Sequence, residues 1–239
     1  MKKIIFLFIV AINAHTYAQD DASAFKRVQI GVNFSPDIAY RTLKETDDNF
    51  FNNLIYNNRK NTEVVKFGYT GGFNFCYNLK KSFGLEIGLQ LSDKGYQTKT
   101  QNLIWPQTTV NQPTSFKEIY NFYYLDIPVK ANFSLGKKKL RFFGSIGLAT
   151  NIFLALGQTS VETYADGKTT RNAQGNSNNN VNKVGLSPLV SLGVEYHINS
   201  KTSLRIDPTF RYNVLKTYDS AVTDHLWSCG LNIGYYFGL

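Results

Sequence analysis

Strict alternation of apolar and polar residues, repeated eight times after Arg27, is the feature that most constrains the fold of this chain. A period of two residues is typical of β-strands, because successive side chains point to opposite faces. Many runs exceed the roughly five or six residues of a globular strand and match the roughly 9–11 residues of a tilted membrane-crossing strand. No helical period is evident after the N-terminal segment, so we expect no helix in the rest of the chain. The predicted strands are Arg27–Tyr40, Glu63–Leu79, Phe83–Tyr96, Tyr120–Leu135, Leu140–Ala155, Val184–Ile198, Ser203–Leu215 and Asp224–Phe237.

The connections between these strands alternate in length, and this alternation is typical of a bacterial outer-membrane barrel with tight periplasmic turns and long external loops. No later stretch approaches the ~20 apolar residues of a transmembrane helix, so a membrane crossing requires a closed barrel. We predict an all-β, eight-stranded antiparallel up-and-down transmembrane β-barrel, with both termini on the periplasmic side. The short connections are Lys80–Ser82, Gly136–Lys139 and Asn199–Thr202, and the long ones are Arg41–Thr62, Gln97–Ile119, Gly157–Lys183 and Lys216–Thr223.

The N-terminus has the three-part layout of a secretory signal peptide. Met1–Lys3 is basic, Ile4–Ile12 is apolar and too short to span a bilayer, and Asn13–Ala18 is polar and small. We therefore expect a signal peptide at residues 1–18 and a barrel domain at residues 19–239. The net charge of +9 would otherwise favour a nucleic-acid partner, but an exported protein meets none routinely. The lysines of the three short turns either meet anionic lipid headgroups or are simply solvated.

The two faces of the predicted strands differ in a way that favours the membrane. One face is apolar throughout, as in Leu85, Ile87, Leu89 and Leu91, while the other alternates glycine with long polar chains. A soluble lipocalin-like barrel with its apolar face inward is the structural alternative. A solvated exterior has no need of repeated glycine, whereas the crowded lumen of an eight-stranded barrel does. Aromatic residues near the strand ends also match interfacial belts.

The inward face carries a mixed set of charges that is the best-supported constellation in the sequence. Glu195 and Arg205 flank the Asn199–Thr202 turn at nearly equal height, so we expect them to pair across a hairpin. A gated polar path is one interpretation of these charges, and a plug of paired charges is the other. The plug is favoured because eight strands enclose little more than side chains and unpaired charges there are costly. The luminal set is Lys66, Glu86, Asp126, Lys130, Arg141, Glu195, Arg205, Asp207 and Arg211.

No arrangement in the sequence indicates an enzyme. His197 is predicted near the periplasmic end and His225 near the outer rim, too far apart to serve one nucleophile. Cys76 is predicted in the lumen and Cys229 on the lipid face, so a disulfide is not expected. No metal-ligand spacing or phosphate-binding loop is evident, and we expect no cofactor, metal or catalytic residue.

The loops are polar and rich in asparagine, which predicts mobile, solvated segments. The alternative is that the loops form a surface that binds partners or ligands, with contacts supplied by apolar and aromatic residues near the strand ends. Those candidate contacts are Ile104, Trp105, Tyr120, Phe122 and Tyr123. In the fourth strand Pro128 lacks an N–H, so we expect a bulge or a missing hydrogen bond beside it.

The segment YLDIPVKANF (Tyr124–Phe133) resembles the Tyr-Leu-Glu/Asp-Ile-Pro motif of the PorT-like outer-membrane β-barrel family of Bacteroidota. Gly238 and Leu239 depart from the family's commoner ending on an aromatic residue. The resemblance covers essentially the whole mature chain, although its motifs are short and mostly structural. Further segments that resemble the family's later strands are Phe142–Leu154, Leu189–Ile198, Ser203–Leu215 and Leu231–Leu239.

The resemblance implies an outer-membrane location in contact with lipid, and the family's namesake participates in a protein-secretion pathway. We therefore expect a barrel without catalytic activity that contacts other envelope or secretion proteins through its loops and turns. A narrow outer-membrane channel or transporter is the alternative, and an enzyme ranks third. Fold alone does not transfer a function among such barrels.

Overall fold

The computed structural model describes residues 25–45, 49–106, 111–136, 138–174, 180–218, 220 and 222–239. The predicted signal peptide lies outside these residues. Among the described residues, no helix has the length and apolarity to cross a bilayer. In chain order the elements are β1 (Val28–Glu45), α1 (Phe50–Thr62), β2 (Glu63–Val64), β3 (Lys66–Lys80), β4 (Phe83–Thr98), β5 (Gln101–Asn102), β6 (Pro113–Leu135), β7 (Leu140–Tyr164), β8 (Thr169–Gln174), β9 (Val184–His197), β10 (Thr202–Tyr212) and β11 (Val222–Gly238).

Eight of these strands form a closed antiparallel ring. Each long strand pairs with the next one along the chain, in the order β1, β3, β4, β6, β7, β9, β10 and β11. The first and last strands then pair with each other, from Gln29 opposite Gly238 to Glu45 opposite Val222. Closure gives every strand two neighbours, so the sheet has no free edge across the membrane. The predicted eight-stranded barrel is confirmed.

The apolar face of the barrel points outward. Phe67, Phe142 and Leu192 expose 85%, 74% and 73% of their side-chain surface, and similar residues cover all eight strands. The polar positions of the same strands are buried in the lumen. A lipocalin-like barrel would have the reverse arrangement, so that alternative is wrong. The belt of exposed apolar residues is the surface that a membrane-spanning barrel presents to lipid.

Aromatic pairs mark both ends of this belt. Tyr40 and Trp227 meet edge to face at the outer end, with ring centroids 6.1 Å apart. Phe83 and Phe133 meet at the periplasmic end, with centroids 5.3 Å apart. Such rings suit the two membrane–water interfaces because they combine an apolar body with an affinity for the polar boundary.

The outer side of the barrel is more ordered than the loop composition predicted. β6 already begins at Pro113 and β7 continues to Tyr164, and these two residues pair with each other. β5 pairs with the outer part of β6, and β8 pairs with the outer part of β7. The four segments form an external sheet that projects beyond the lipid belt. The prediction of loops at Gln97–Ile119 and Gly157–Lys183 is therefore wrong for much of both ranges, because cross-strand pairing stabilises their polar, alternating sequences.

The helix α1 lies in the predicted loop Arg41–Thr62 and contradicts the expectation of no helix. The side chain of Asn49 accepts a hydrogen bond from the backbone N–H of Phe51 at 3.2 Å and caps the helix. Phe50 and Leu54 share one face with Phe51, but no residue of α1 is buried. The asparagine-rich composition hides this short helical period, because asparagine is a weak helix former outside caps.

Pro128 interrupts one ladder of its strand. Pairing between β4 and β6 is absent at Ile127 and Pro128 in these described strands, and it resumes beyond them in the same register. The pairing with β7 continues through Pro128. The predicted missing hydrogen bond is confirmed, without a bulge at that point. Pro36 produces an equivalent gap in the β1–β11 ladder and Pro208 one in the β9–β10 ladder. Each proline therefore interrupts the pairing of its strand with only one of the two adjacent strands.

Candidate functional site in the barrel lumen

A buried carboxylate lies at the centre of the periplasmic half of the lumen. Glu86 of β4 forms an ion pair with Lys130 of β6 and accepts from Asn132 Nδ2 at 2.7 Å. Its Oε2 also accepts from Arg205 Nη1 of β10 at 3.0 Å, across the barrel. The hydroxyl of Tyr236 donates to Oε1 at 3.3 Å. These charge-assisted bonds compensate for the loss of hydration of a carboxylate with no exposed surface.

Arg205 links this carboxylate to a second one. Its Nε donates to Glu195 Oε1 at 2.9 Å across the β9–β10 hairpin, and its Nη2 donates to Gln29 Oε1 at 3.2 Å. The guanidinium lies 3.9 Å from the ring centroid of Tyr236 and 4.6 Å from that of Phe143. Hydrogen bonds and two aromatic rings thus contact the buried cation. We call Glu86, Lys130, Glu195 and Arg205 the central network.

Glycine makes room for Tyr236, whose ring and hydroxyl contact the central network. A Cβ atom on Gly31 would lie 2.5 Å from Cδ1 of Tyr236, and one on Gly234 would lie 2.6 Å from its Cε2. Real Cβ contacts are not this short, so both positions require the absence of a side chain. The luminal glycines therefore have the spatial role that the sequence pattern indicated.

A chain of amides crosses the middle of the lumen above the central network. Asn33 Nδ2 donates to Asn232 Oδ1, and Asn74 Nδ2 donates to Asn33 Oδ1, both at 2.8 Å. Gln90 Nε2 donates to Asn74 Oδ1 at 3.0 Å, and Asn232 Nδ2 donates to Asp207 Oδ1 at 3.1 Å. This chain places Asp207 among neutral donors, and within the described residues it forms no ion pair.

Two other predicted residues belong to separate ion pairs further along the lumen. Asp126 accepts from Lys94 Nζ at 2.9 Å and from Asn151 Nδ2 at 2.6 Å. Arg211 Nη1 lies 3.4 Å from Oδ1 of Asp37. These contacts connect β4 with β6 and β1 with β10, so the lumen contains several local charge pairs rather than one continuous cluster.

Lys66 and Arg141 stand apart from the other predicted charges. Lys66 Nζ donates to Asp93 and to Asn121, each at 2.5 Å. Both side chains of this ion pair are largely buried, and Asp93 lies opposite Tyr69 in the β3–β4 register. Arg141 lies at the periplasmic mouth, where its Nε donates to the Lys138 carbonyl oxygen at 3.4 Å. In the described part of the chain Arg141 has no carboxylate within ion-pair distance.

The sequence reasoning missed a buried triad at the outer end of the lumen. Arg41 donates to both carboxylate oxygens of Glu63, at 2.5 and 2.9 Å, and to Asp224 Oδ2 at 2.8 Å. The predicted first strand ended at Tyr40, and the triad lies just beyond that limit. Continuing the alternation past Tyr40 would have placed Arg41 on the inward face. The other charged partners that were missed are Asp37, Asp93 and Lys94.

Aromatic residues close the lumen above the amide chain. Val181 and Tyr218 pair as an isolated bridge between two external loops and bring those loops over the barrel. Burial raises the pKa of the Tyr218 hydroxyl, in the loop after β10, to about 12. Phe122 was predicted as an external contact, but it is fully buried here, so that expectation is wrong. We call the buried cluster the outer core; it comprises Tyr96, Phe122, Tyr124, Phe153, Val181 and Leu226.

The histidines and cysteines lie apart from one another. His197 Nε2 is 3.4 Å from Glu195 Oε2 near the periplasmic mouth, whereas His225 Nδ1 is 3.2 Å from the Asn213 carbonyl oxygen at the outer side. Cys76 is buried and donates to Glu86, while Cys229 is exposed on the lipid-facing side, and both are free thiols. Among the described residues, no group of three His, Cys, Asp or Glu side chains has a metal-binding arrangement.

A closed ring of eight antiparallel strands, apolar outside and polar inside, defines an outer-membrane β-barrel. The family model described as "Outer membrane protein beta-barrel domain" matches residues 17–214. The chain therefore belongs to the outer membrane protein beta-barrel domain family, and its location is the outer membrane. Comparison with curated proteins gives no match.

Solved structures of other outer-membrane proteins are similar to this chain at low sequence identity. Neisserial surface protein A is 11% identical, with a TM-score of 0.45 over 89% of this chain and 97% of that one. OprG from Pseudomonas aeruginosa is 10% identical, with a TM-score of 0.43 over 90% and 98%. The outer membrane protease OmpT from Escherichia coli is 9% identical, with a TM-score of 0.42 over 89% and 96%. At these sequence identities and TM-scores, the similarities support no conclusion about function.

Proposed function

We propose that this chain is a closed, non-catalytic outer-membrane barrel that acts by contacting other envelope components. The observation that carries the proposal is the filling of the lumen at successive levels. The central network lies on the periplasmic side, the amide chain lies above it, and the Arg41 triad and the outer core lie together toward the external side. An eight-stranded barrel has little luminal space beyond its side chains, so this filling leaves no wide path for a solute.

The external sheet is the proposed surface for such contacts. It extends the β6–β7 hairpin beyond the lipid belt and presents Ile104 at 95% exposure. Trp105 Nε1 donates to the Pro113 carbonyl oxygen at 2.8 Å, which fixes the segment after β5 against β6. A preorganised surface binds with a smaller loss of conformational entropy than a mobile loop. The resemblance to the PorT-like family of Bacteroidota makes a secretion-accessory role the specific form of this proposal.

Site-specific photo-crosslinking in native membranes tests the proposed surface. A photoreactive amino acid at position 104 should form protein adducts, because that side chain is exposed in the segment after β5, beside the external sheet. The same amino acid at the lipid-facing position 192 is the matched control and should react with lipid only. Protein adducts at the control position alone would contradict the assignment of the external sheet.

Planar-bilayer recording tests the closed lumen separately. Purified protein should show no steady conductance, because charged and aromatic side chains fill the barrel. A stable open pore in the wild-type protein would reject the closed barrel and favour a narrow channel. The two measurements are independent, since a conducting barrel can still bind a partner through its external sheet.

A further inference from the structure

The periplasmic mouth of the lumen is a crevice in which cations greatly outnumber carboxylates among the charged residues that line it. Its cavity volume is about 50 Å³, and it is bordered by the ends of six barrel strands and two of the short turns. Among the described residues that line it, Glu195 has the only carboxylate. The cations are Lys26, Lys80, Lys81, Arg141, Lys201 and Arg205.

The single carboxylate is already occupied by partners within the barrel. Glu195 accepts from Arg205 Nε at 2.9 Å, from Ser134 Oγ at 3.0 Å and from Ser203 Oγ at 3.3 Å. Arg141 lies directly opposite Glu195 in the β7–β9 register, but its Nε donates to a backbone carbonyl oxygen instead. Apart from Arg205, the crevice cations have no ion pair within the described residues. The crevice therefore has a large uncompensated positive charge.

Backbone bonds hold the cationic rim in place. Asn78 Nδ2 donates to the Lys26 carbonyl oxygen at 2.8 Å and ties the N-terminal segment to the end of β3. The Lys26 stem lies against Gly238, where a Cβ atom would come within 2.7 Å of its Cγ. The N–H of Gly238 donates to the Lys201 carbonyl oxygen at 2.6 Å. The rim is thus part of the barrel end rather than a set of unrelated surface lysines.

We propose that this crevice binds a phosphate group on the periplasmic side. A cleft lined by one sign of charge concentrates the field and attracts counter-ions. Lysine ammonium groups bind phosphate as point charges, and the Arg141 guanidinium can form parallel hydrogen bonds to two oxygens. Four of the five cations without an ion pair in the described residues are lysines, which suits a compact phosphate oxyanion. The phosphate can come from solution or from a phospholipid headgroup of the inner leaflet, since the crevice opens at the level of the membrane surface.

Titration of the full-length barrel in phosphatidylcholine nanodiscs with inorganic phosphate, at constant ionic strength, tests the proposal. Saturable binding is expected, detected by calorimetry or by the phosphorus NMR line width. The double variant Arg141→Gln/Lys201→Gln should weaken phosphate binding about tenfold, because each of the two substitutions removes one partly exposed charge contact. A second pair, Lys80→Gln/Lys81→Gln, lies in an exposed turn and guards against a folding defect in the first.

The matched control is Lys168→Gln/Arg171→Gln, which removes the same charges from the external side of the protein. It should change phosphate affinity by less than about twofold. Phosphatidylglycerol added to the nanodiscs should reduce phosphate binding if headgroups occupy the crevice and leave it unchanged if the phosphate comes from solution. Absence of saturable binding, or equal losses in the crevice and control variants, would overturn the proposal. Neither result depends on the conductance or crosslinking tests of the proposed function.

Discussion

Neutralising Glu86 should destabilise the barrel more than neutralising any other acid of the central network. Glu86→Gln keeps the size of the side chain but removes the charge that Lys130 and Arg205 share. Within the described residues Lys130 has no other carboxylate at ion-pair distance, so its ammonium would be left unpaired in the lumen. Breaking a buried pair by removing one partner costs about 3–5 kcal/mol, and we expect a loss in that range.

Glu195→Gln should cost less, about 1–2 kcal/mol, because Arg205 would retain a second carboxylate. Arg205 Nη1 stays 3.0 Å from Glu86 Oε2, and Gln29 still accepts from Nη2. The hydroxyls of Ser134 and Ser203 can donate to an amide oxygen as they do to the carboxylate. The sequence predicted the Glu195–Arg205 pair but not the second carboxylate, that of Glu86, which Arg205 also contacts.

Urea unfolding in phospholipid vesicles, followed by tryptophan fluorescence and by the gel shift of folded barrels, measures both free energies. Glu162→Gln, in the external part of β7, is the control and should stay within about 0.5 kcal/mol of the wild type. The double variant Glu86→Gln/Lys130→Met should recover at least about 1 kcal/mol of the single loss if the two residues are coupled. Equal costs for Glu86→Gln and Glu195→Gln, or a Glu86→Gln cost below about 1 kcal/mol, would refute the reasoning.

Three further outcomes are expected. Leu148→Arg on the lipid belt should cost about 2–4 kcal/mol in the same vesicle assay, whereas Asn172→Arg on exposed β8 should cost little, and equal costs would reject the membrane topology. Phe122→Ala should cost about 3–5 kcal/mol, because it empties the centre of the outer core; a cost below about 1 kcal/mol would show that the cluster is not packed. Pro128→Ala should leave the β4–β6 gap in place, because the ladder with β7 already sets the register, and new protection of residue 128 from amide exchange would contradict this.

The prediction of the barrel succeeded because its signal is local and repeated. Each strand has one face toward lipid and one toward the lumen, so the alternation is written into every segment separately. Strand limits were less predictable on the external side. The segments of β6 before Tyr120 and of β7 after Ala155 contain mostly polar and charged residues and few aliphatic ones, because those parts lie beyond the lipid. These segments are as polar as loops, and only the pairing between strands distinguishes a polar strand from a polar loop.

The inward orientation of the charged side chains could also be predicted from the sequence, because alternation along a strand determines which face each side chain occupies. Their ion-pair partners could not be predicted, except across the Asn199–Thr202 hairpin, where Glu195 and Arg205 are close along the chain. Contacts between Arg205 and Glu86 join positions 119 residues apart. Such contacts depend on the stagger, twist and curvature of the closed sheet, which set the height and direction of each side chain in the lumen. The alternation of the sequence thus determined the barrel and its two faces, and only the closure of the sheet decided which charges meet inside it.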